Sequence, residues 1–361
     1  MNGPAKKRIY LDHAATTPVL PEARAAMLAA MERWANPSSP HAEGRAARAM
    51  LEDARERIRA ALGWRHDVIF TSGASEAVAI AAKRATVPGR LVGATEHDIV
   101  PHEMGATAKV IPVGADGIIK LQALEEALAE GPGLVAVQHV NNETGVIQPL
   151  DLVSERVRAA GSLLLADCAQ SAGKLPLPDA DFIAISAHKL GGPPGIGALL
   201  VKDLATLQPV GGQEQGYRRG TQDAPAAAAF AAALESRAFA NAMPRLAELR
   251  RRLEAGAKAA GGLVIAEDSP RIPNIGTVGL TGIASASLLV QFDLAGFAVS
   301  AGSACSSGKM KDSHVLAAMG VPPEIAGSVL RVSFGPDTSE ADIDAFLAEW
   351  GRIASRRRQA A

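Results

Sequence analysis

The residues that could do chemistry begin with a lysine. The segment Ile185-Ser186-Ala187-His188-Lys189 is followed by Gly191, Gly192, Gly195 and Gly197, so an apolar run ends and a lysine enters a glycine-rich loop. Alone, such a lysine is more often a surface residue in a turn. Its context argues otherwise. Asp167 closes the preceding apolar run Leu163-Leu164-Leu165-Ala166, and in a parallel sheet the ends of neighbouring strands converge on one crevice. A lysine amine there can form an imine with an aldehyde cofactor. A carboxylate there can keep a pyridinium nitrogen protonated and strengthen the ring as an electron sink. Lysine plus aspartate is the minimum constellation for pyridoxal phosphate.

A phosphate needs its own cradle. Phe70-Thr71-Ser72-Gly73-Ala74-Ser75-Glu76 supplies a strand, a small-residue turn and a helix start, where backbone N–H groups and the Ser75 hydroxyl would receive an anion. His97 follows another strand pattern and would reach the same crevice, where an imidazole can stack on a pyridine ring and shuttle protons. Asn142 and Gln170 gain weight from the same company. Arg331 lies in the apolar run Leu330-Arg331-Val332-Ser333-Phe334, where an unpaired guanidinium would be costly. Two cysteines occur, Cys168 and Cys305. Cys168 follows a buried strand and suits a packing role. Cys305 sits among Gly302, Ser303, Ala304, Ser306, Ser307 and Gly308, a composition that suits a mobile loop and an accessible, nucleophilic thiolate.

These residues need elements to position them. Helical patterns cover 24–34, 42–62, 74–83, 121–129 and 152–159; strand patterns cover 68–70, 90–93, 134–139, 162–166, 182–185 and 198–201. The alternation predicts an α/β fold with a mostly parallel sheet and right-handed crossovers. The alanine-rich stretch 225–234 reads as a buried or interfacial helix. Beyond it the texture changes, with strands at 264, 275–278, 298–300 and 330–334 and helices at 285–291, 314–319 and 340–353. The expectation is a large domain over 14–243 and a smaller α+β domain over 1–13 and 244–361 that carries the Cys305 loop.

The chain has 361 residues, 37 Lys plus Arg against 38 Asp plus Glu, and 48% hydrophobic residues. Near-zero net charge offers no basic excess for nucleic acid or an anionic membrane. The run Arg356-Arg357-Arg358 suits the C-terminal end of a helix dipole. Two cysteines in so long a chain are not a disulfide framework, and a reducing compartment fits. No stretch over 1–12 reads as a signal peptide, 225–234 is too short to span a bilayer, and no metal site is expected. A cytosolic protein is the expectation. GGPPGIG is not read as a dinucleotide loop, because no helix start follows it.

Nine ordered blocks together resemble the cysteine desulfurases, within the fold-type-I, class-V aminotransferase-like pyridoxal-phosphate enzymes: YLDHAATTP from Tyr10, NPSSPHAEGR from Asn36, FTSGASE from Phe70, EH at Glu96, HVNNETGVIQP from His139, DCAQSAGK from Asp167, SAHKLGGPPGIG from Ser186, GGQEQGYRRGT from Gly211 and SAGSACSSG from Ser300. The resemblance covers nearly the whole chain. It implies that Lys189 is the Schiff-base lysine, Asp167 the pyridinium partner and His97 the stacking residue, with Gln170 near the phenolic oxygen. Ala74 (through its backbone), Ser75, Ser186 and His188 would hold the phosphate. Thr221 would reach the phosphate of the other subunit of a homodimer. Asn142 and Arg331 would bind the substrate, L-cysteine, and Cys305 would carry its sulfur as a persulfide to an acceptor such as an iron–sulfur scaffold. Two positions depart from the family: His13 stands where asparagine is common, and Ser75 where threonine is usual. The last helical pattern ends near Arg358, where many members continue into a scaffold-docking tail, so the acceptor stays open. Rival readings are a selenocysteine lyase of the same superfamily, a transaminase of that superfamily, which would not need Cys305, and a non-catalytic pyridoxal-phosphate binder.

Overall fold

Five-residue runs such as Phe182–Ser186 and Gly197–Val201 are buried along their whole length, as expected of strands covered on both faces. The computed structural model describes residues 8–301 and 313–360. In chain order the first part contains β1 (Ile9–Tyr10), α1 (Pro21–Met31), α2 (Ala42–Leu62), β2 (Asp67–Thr71), α3 (Ala74–Arg84), β3 (Gly89–Gly93), α4 (Ile99–Met104), β4 (Lys109–Ile111), α5 (Leu121–Leu128), β5 (Gly133–Gln138), α6 (Leu150–Ala159), β6 (Leu163–Asp167), β7 (Phe182–Ser186), β8 (Gly197–Val201) and α7 (Ala224–Glu235). The rest contains α8 (Ala238–Ala259), β9 (Leu263–Val264), β10 (Ile275–Gly279), α9 (Ser285–Leu294), β11 (Phe297–Ala298), α10 (His314–Ala318), α11 (Pro323–Ala326), β12 (Val329–Ser333) and α12 (Glu340–Ala360).

The central sheet has seven strands in the order β2-β8-β7-β6-β5-β3-β4. Strands β4, β3, β5, β6 and β7 pair in parallel, whereas β8 is antiparallel to both β2 and β7. The reversal has a local cause. Between β7 and β8 there is only the lysine loop, with Gly191 and Gly195 at φ 94° and 83°, and without a crossover helix the next strand must run back. Alternate side chains feed two cores. Ile69, Leu134, Leu165, Phe182 and Leu199 pack with α3 and α4. Phe70, Val135, Leu164, Ile183 and Leu200 join a larger core with α2 and α7. Helix α7 is buried from Ala226 to Leu234 and packs on both α1 and α2; alanine lets the helices approach closely.

In the remainder, β9, β10 and β12 form an antiparallel sheet, and β1 pairs in parallel with β11. Phe346 stacks on Phe292, with centroids 4.5 Å apart, and on Trp350, while Phe297 meets Phe292 and Phe346 edge-on. Met243 and Pro244, on either side of the expected domain boundary, both lie inside α8. Helix α1 begins at Pro21 and ends at Met31, leaving Trp34 beyond it and exposed. The short elements β1, α4, β4 and α11 and the long α8 are additions to the sequence reading. Among the described residues no helix is long and apolar enough to cross a membrane.

One glycine ties the sheet to the crevice. A Cβ on Gly197 would press into the Ile185 carbonyl oxygen and lie 2.7 Å from Gly73 Cα, so β8 can sit against the β2–α3 turn only as glycine. Gly197→Ala is therefore expected to destabilise the fold by about 1–3 kcal/mol, read as a lower urea midpoint.

Candidate functional site

The C-terminal ends of the parallel strands open onto a cavity of about 660 Å³, where ligands of open α/β sheets bind. Nine of the residues singled out from the sequence line it: Ala74, Ser75, His97, Asn142, Asp167, Gln170, Ser186, His188 and Lys189. Asp167 and Ser186 are the last residues of β6 and β7. Lys189 ends the single 3₁₀ turn Ala187–Lys189 that follows. Ser72 to Ser75 carry the chain from β2 into α3.

Each side chain is held by a few contacts. Asp167 Oδ1 accepts from the Ala169 N–H at 2.9 Å. Gln170 Nε2 donates to the Ala14 carbonyl at 2.8 Å, while its Oε1 is buried without a partner among the described residues. His188 Nδ1 lies 3.1 Å from Thr16 Oγ1. His97 Nδ1 accepts from the Ile99 N–H at 3.4 Å; an accepting Nδ1 in a neutral ring leaves the proton on Nε2. The cap residue of α3, Gly73, has no side chain to cap the helix, so first-turn amides remain available for an anion.

Burial and a local excess of cations keep the histidines neutral. Burial, then the charge of Lys189, lowers the His97 pKa. Burial, then Lys189 and Lys174, pushes His188 down to about 4. Behind them Lys174 is itself buried, with Nζ 4.7 Å from the centre of the Phe239 ring, and burial and Lys189 lower its pKa to about 7. Glu96 goes the other way: burial first, then the Asp167 charge, raises its carboxyl well above the ordinary range.

Arg331 does not line the cavity. It is fully buried on β12, with Nη1 donating to the Asn142 carbonyl and Nη2 to Asp12 Oδ1, both at 2.9 Å. Its main chain exchanges hydrogen bonds with Ser300. Asp12, Asn142 and Ser300 do line the cavity. Thr221 is exposed on the loop before α7 and does not reach the cavity of its own chain. Cys305 lies outside the described residues. On the described flanks of its segment, Ser300 lines the cavity, and Ser313 Oγ donates to Glu143 Oε2 at 2.6 Å. Sequence reasoning gave no role to Asp12, Glu96 or Lys174. Each stands inside a quoted block, but only burial marks Glu96 and Lys174 as important, and only the ion pair with Arg331 marks Asp12.

The model of the class-V aminotransferase family matches residues 9–346. An IscS-like cysteine desulfurase of Mycobacterium tuberculosis is 38% identical, over 98% of each chain. A NifS-like protein of Rickettsia africae superposes with a TM-score of 0.89 at 30% identity, over 96% of this chain and 99% of the other. A structure titled SspA in complex with cysteine gives a TM-score of 0.79 at 28% identity, over 92% of this chain and 100% of the other.

The neutral histidines make stability depend on pH. Burial pushes both His13 and His139 from the ordinary 6.5 down to about 4. Between those values the unfolded chain binds more protons than the folded one, so stability is present above about pH 6.5 and falls as pH drops toward 4. Each histidine should account for a loss on the order of 2–3 kcal/mol across that window. Urea midpoints from pH 7 to 4.5 should fall, and His139→Asn should flatten the slope. An unchanged slope in that variant would remove His139 from the account.

Proposed function

The chain belongs to the cysteine desulfurases of the class-V aminotransferase family, whose members depend on pyridoxal phosphate, and on that premise we propose that it converts L-cysteine to L-alanine and carries the sulfur on Cys305 as a persulfide. The observation that carries this reading is the meeting of Lys189, Asp167 and His97 with the α3 N-terminus around one cavity.

The donor set fits the cofactor. Ala74 N–H, Ser75, Ser186 and His188 would hold a phosphate, and Asp167 a pyridinium nitrogen. His97 would cover the ring, and the Lys189 amine would hold the aldehyde carbon. The unpartnered Oε1 of Gln170 is a buried acceptor that a bound ligand would satisfy. When bound, pyridoxal phosphate supplies an electron sink for bond breaking at the substrate α-carbon.

The chain's own groups do the rest. Lys189 Nζ removes the α-proton of cysteine. His97, whose pKa burial and Lys189 lower, can pass a proton within the site. The Cys305 thiolate attacks the substrate sulfur: an S–S bond forms, the carbon–sulfur bond breaks, and its electron pair stays with the substrate carbon, which takes up a proton and leaves as alanine. Asn142 and Arg331 orient the substrate. For Arg331 to clamp a carboxylate in a bidentate pair, the substrate must exchange for Asp12 at the guanidinium edge. The persulfide sulfur then passes to an acceptor, of which an iron–sulfur scaffold is one kind. Exposed Thr221 suits a homodimer in which each loop completes the partner's phosphate site, and a reducing cytosol suits a working thiolate.

Lys189→Ala should lose the visible cofactor absorbance and borohydride trapping. Cys305→Ala should keep both and still respond spectrally to cysteine, while sulfide and alanine release falls by roughly a thousandfold or more. Cys168→Ala should retain activity, because burial raises that thiol's pKa and keeps it protonated. Sulfide release by Cys305→Ala at the parent rate would replace this reading with a lyase or transaminase. A fully active monomer by light scattering would remove the dimer.

A further inference from the structure

The anion cradle contains a carboxylate. Glu76 lies in the first turn of α3, and its Oε2 accepts from the Ser72 N–H at 2.5 Å. Burial opposes its ionisation, yet the Ser72 bond and the Arg218 guanidinium hold its pKa below the ordinary range. The turn that offers amides to a phosphate therefore also carries a fixed negative charge. Like charges on one helical turn repel.

Arg218 answers that charge. Its Nε donates to Glu76 Oε1 at 3.0 Å, with 19% and 30% of the two side chains exposed. The segment that presents Arg218 is pinned in place. Its N–H donates to the Gln213 carbonyl at 3.3 Å, and the Tyr217 carbonyl accepts from Arg84 Nη1 at 2.8 Å. Next to it, buried Glu214 receives Arg55 Nη1 at 2.8 Å and Nη2 at 3.1 Å, the Phe70 N–H at 2.8 Å and Gln222 Nε2 at 2.9 Å. Glu214 and Gln215 have φ of 49° and 55°, a region that non-glycine residues seldom occupy without such bonds. Strained backbone and a fully bonded carboxylate thus fasten this loop onto β2, the strand that leads into the cradle.

We propose that Arg218 is a positioning residue for the anion cradle: by neutralising Glu76, it lets that carboxylate shape the Ser72–Ser75 turn without repelling a bound phosphate. The inference rests on the reading of the cavity as a pyridoxal-phosphate site. Neither Arg218 nor Glu76 lines the cavity, whereas Ser72 and Ser75 do; Arg218 therefore acts through Glu76. Glutamine at position 76 would keep the acceptor for Ser72 without the charge.

The test is the affinity of cofactor-free protein for pyridoxal phosphate by equilibrium dialysis, repeated with inorganic phosphate as competitor. Arg218→Gln should weaken binding roughly three- to tenfold at low salt, and less as salt is raised. Glu76→Gln should bind as tightly as the parent, and the double variant should match Glu76→Gln. Arg218→Lys should stay close to the parent. A double variant as weak as Arg218→Gln would overturn the inference, because Arg218 would then act on the ligand directly or only through the fold. Parent-like binding by Arg218→Gln would overturn it too. Ser75→Ala and Lys189→Ala in the same assay separate the two claims: if both bind like the parent, the cavity reading falls and this inference with it; if both weaken and Arg218→Gln does not, only this inference falls.

Discussion

Arg331 has no exposed surface, so its charge must be matched wholly within the protein, and the arrangement of the site follows from how that is done. Removing one partner of a buried ion pair costs far more than the pair contributes on balance. The partners come from separate parts of the chain. Asp12 follows β1, the Asn142 carbonyl lies beyond β5, and Ser300 leads out of β11. One guanidinium thus fastens the N-terminal segment, the large sheet and the small sheet to each other. The two residues it holds, Asp12 and Asn142, form wall of the cavity, as does Ser300 on the main chain of Arg331. A substrate carboxylate would enter an ion-pair site already built rather than create one.

The second constraint is electrostatic. Lys189, Lys174, His188 and His13 crowd the same region. Burial and mutual repulsion keep the imidazoles neutral and lower the pKa of Lys174. Glu96 shifts the other way: burial first, then the Asp167 charge, raises its pKa well above the ordinary range. His13, the departure from the family's asparagine, packs edge-on against Tyr10 and Phe239 with Nδ1 3.3 Å from Thr17 Oγ1. A neutral imidazole keeps a polar contact there without adding charge.

Much of this was legible in the sequence because its causes are local. The boundaries of α2 coincide with the helical pattern over 42–62, which His41 caps and Gly63 ends in a left-handed turn. The strands of the large sheet are apolar runs too short for helices. That Lys189, Asp167, Ser75 and His97 line one cavity was legible because each follows such a run, and the ends of neighbouring parallel strands must meet.

What stayed hidden depends on distance along the chain. The cost of an unpaired Arg331 was evident, but its partner Asp12 lies 319 residues away, and no periodicity links them. The reversal of β8, which the missing crossover helix explains, and its fit against Gly73 emerged only with the backbones in place. The burial that perturbs Lys174, Glu96 and the histidines exists only once the sheets close over them, and the Arg218–Glu76 pair joins a loop to a helix turn 142 residues earlier. The sequence by itself determined most of the elements of the large sheet, the strand-end residues and the family, because residue type and near-neighbour spacing specify these. Only the tertiary structure decided which charges are paired, which groups are desolvated and which residues face the cavity, because those properties belong to contacts between segments and not to any segment alone.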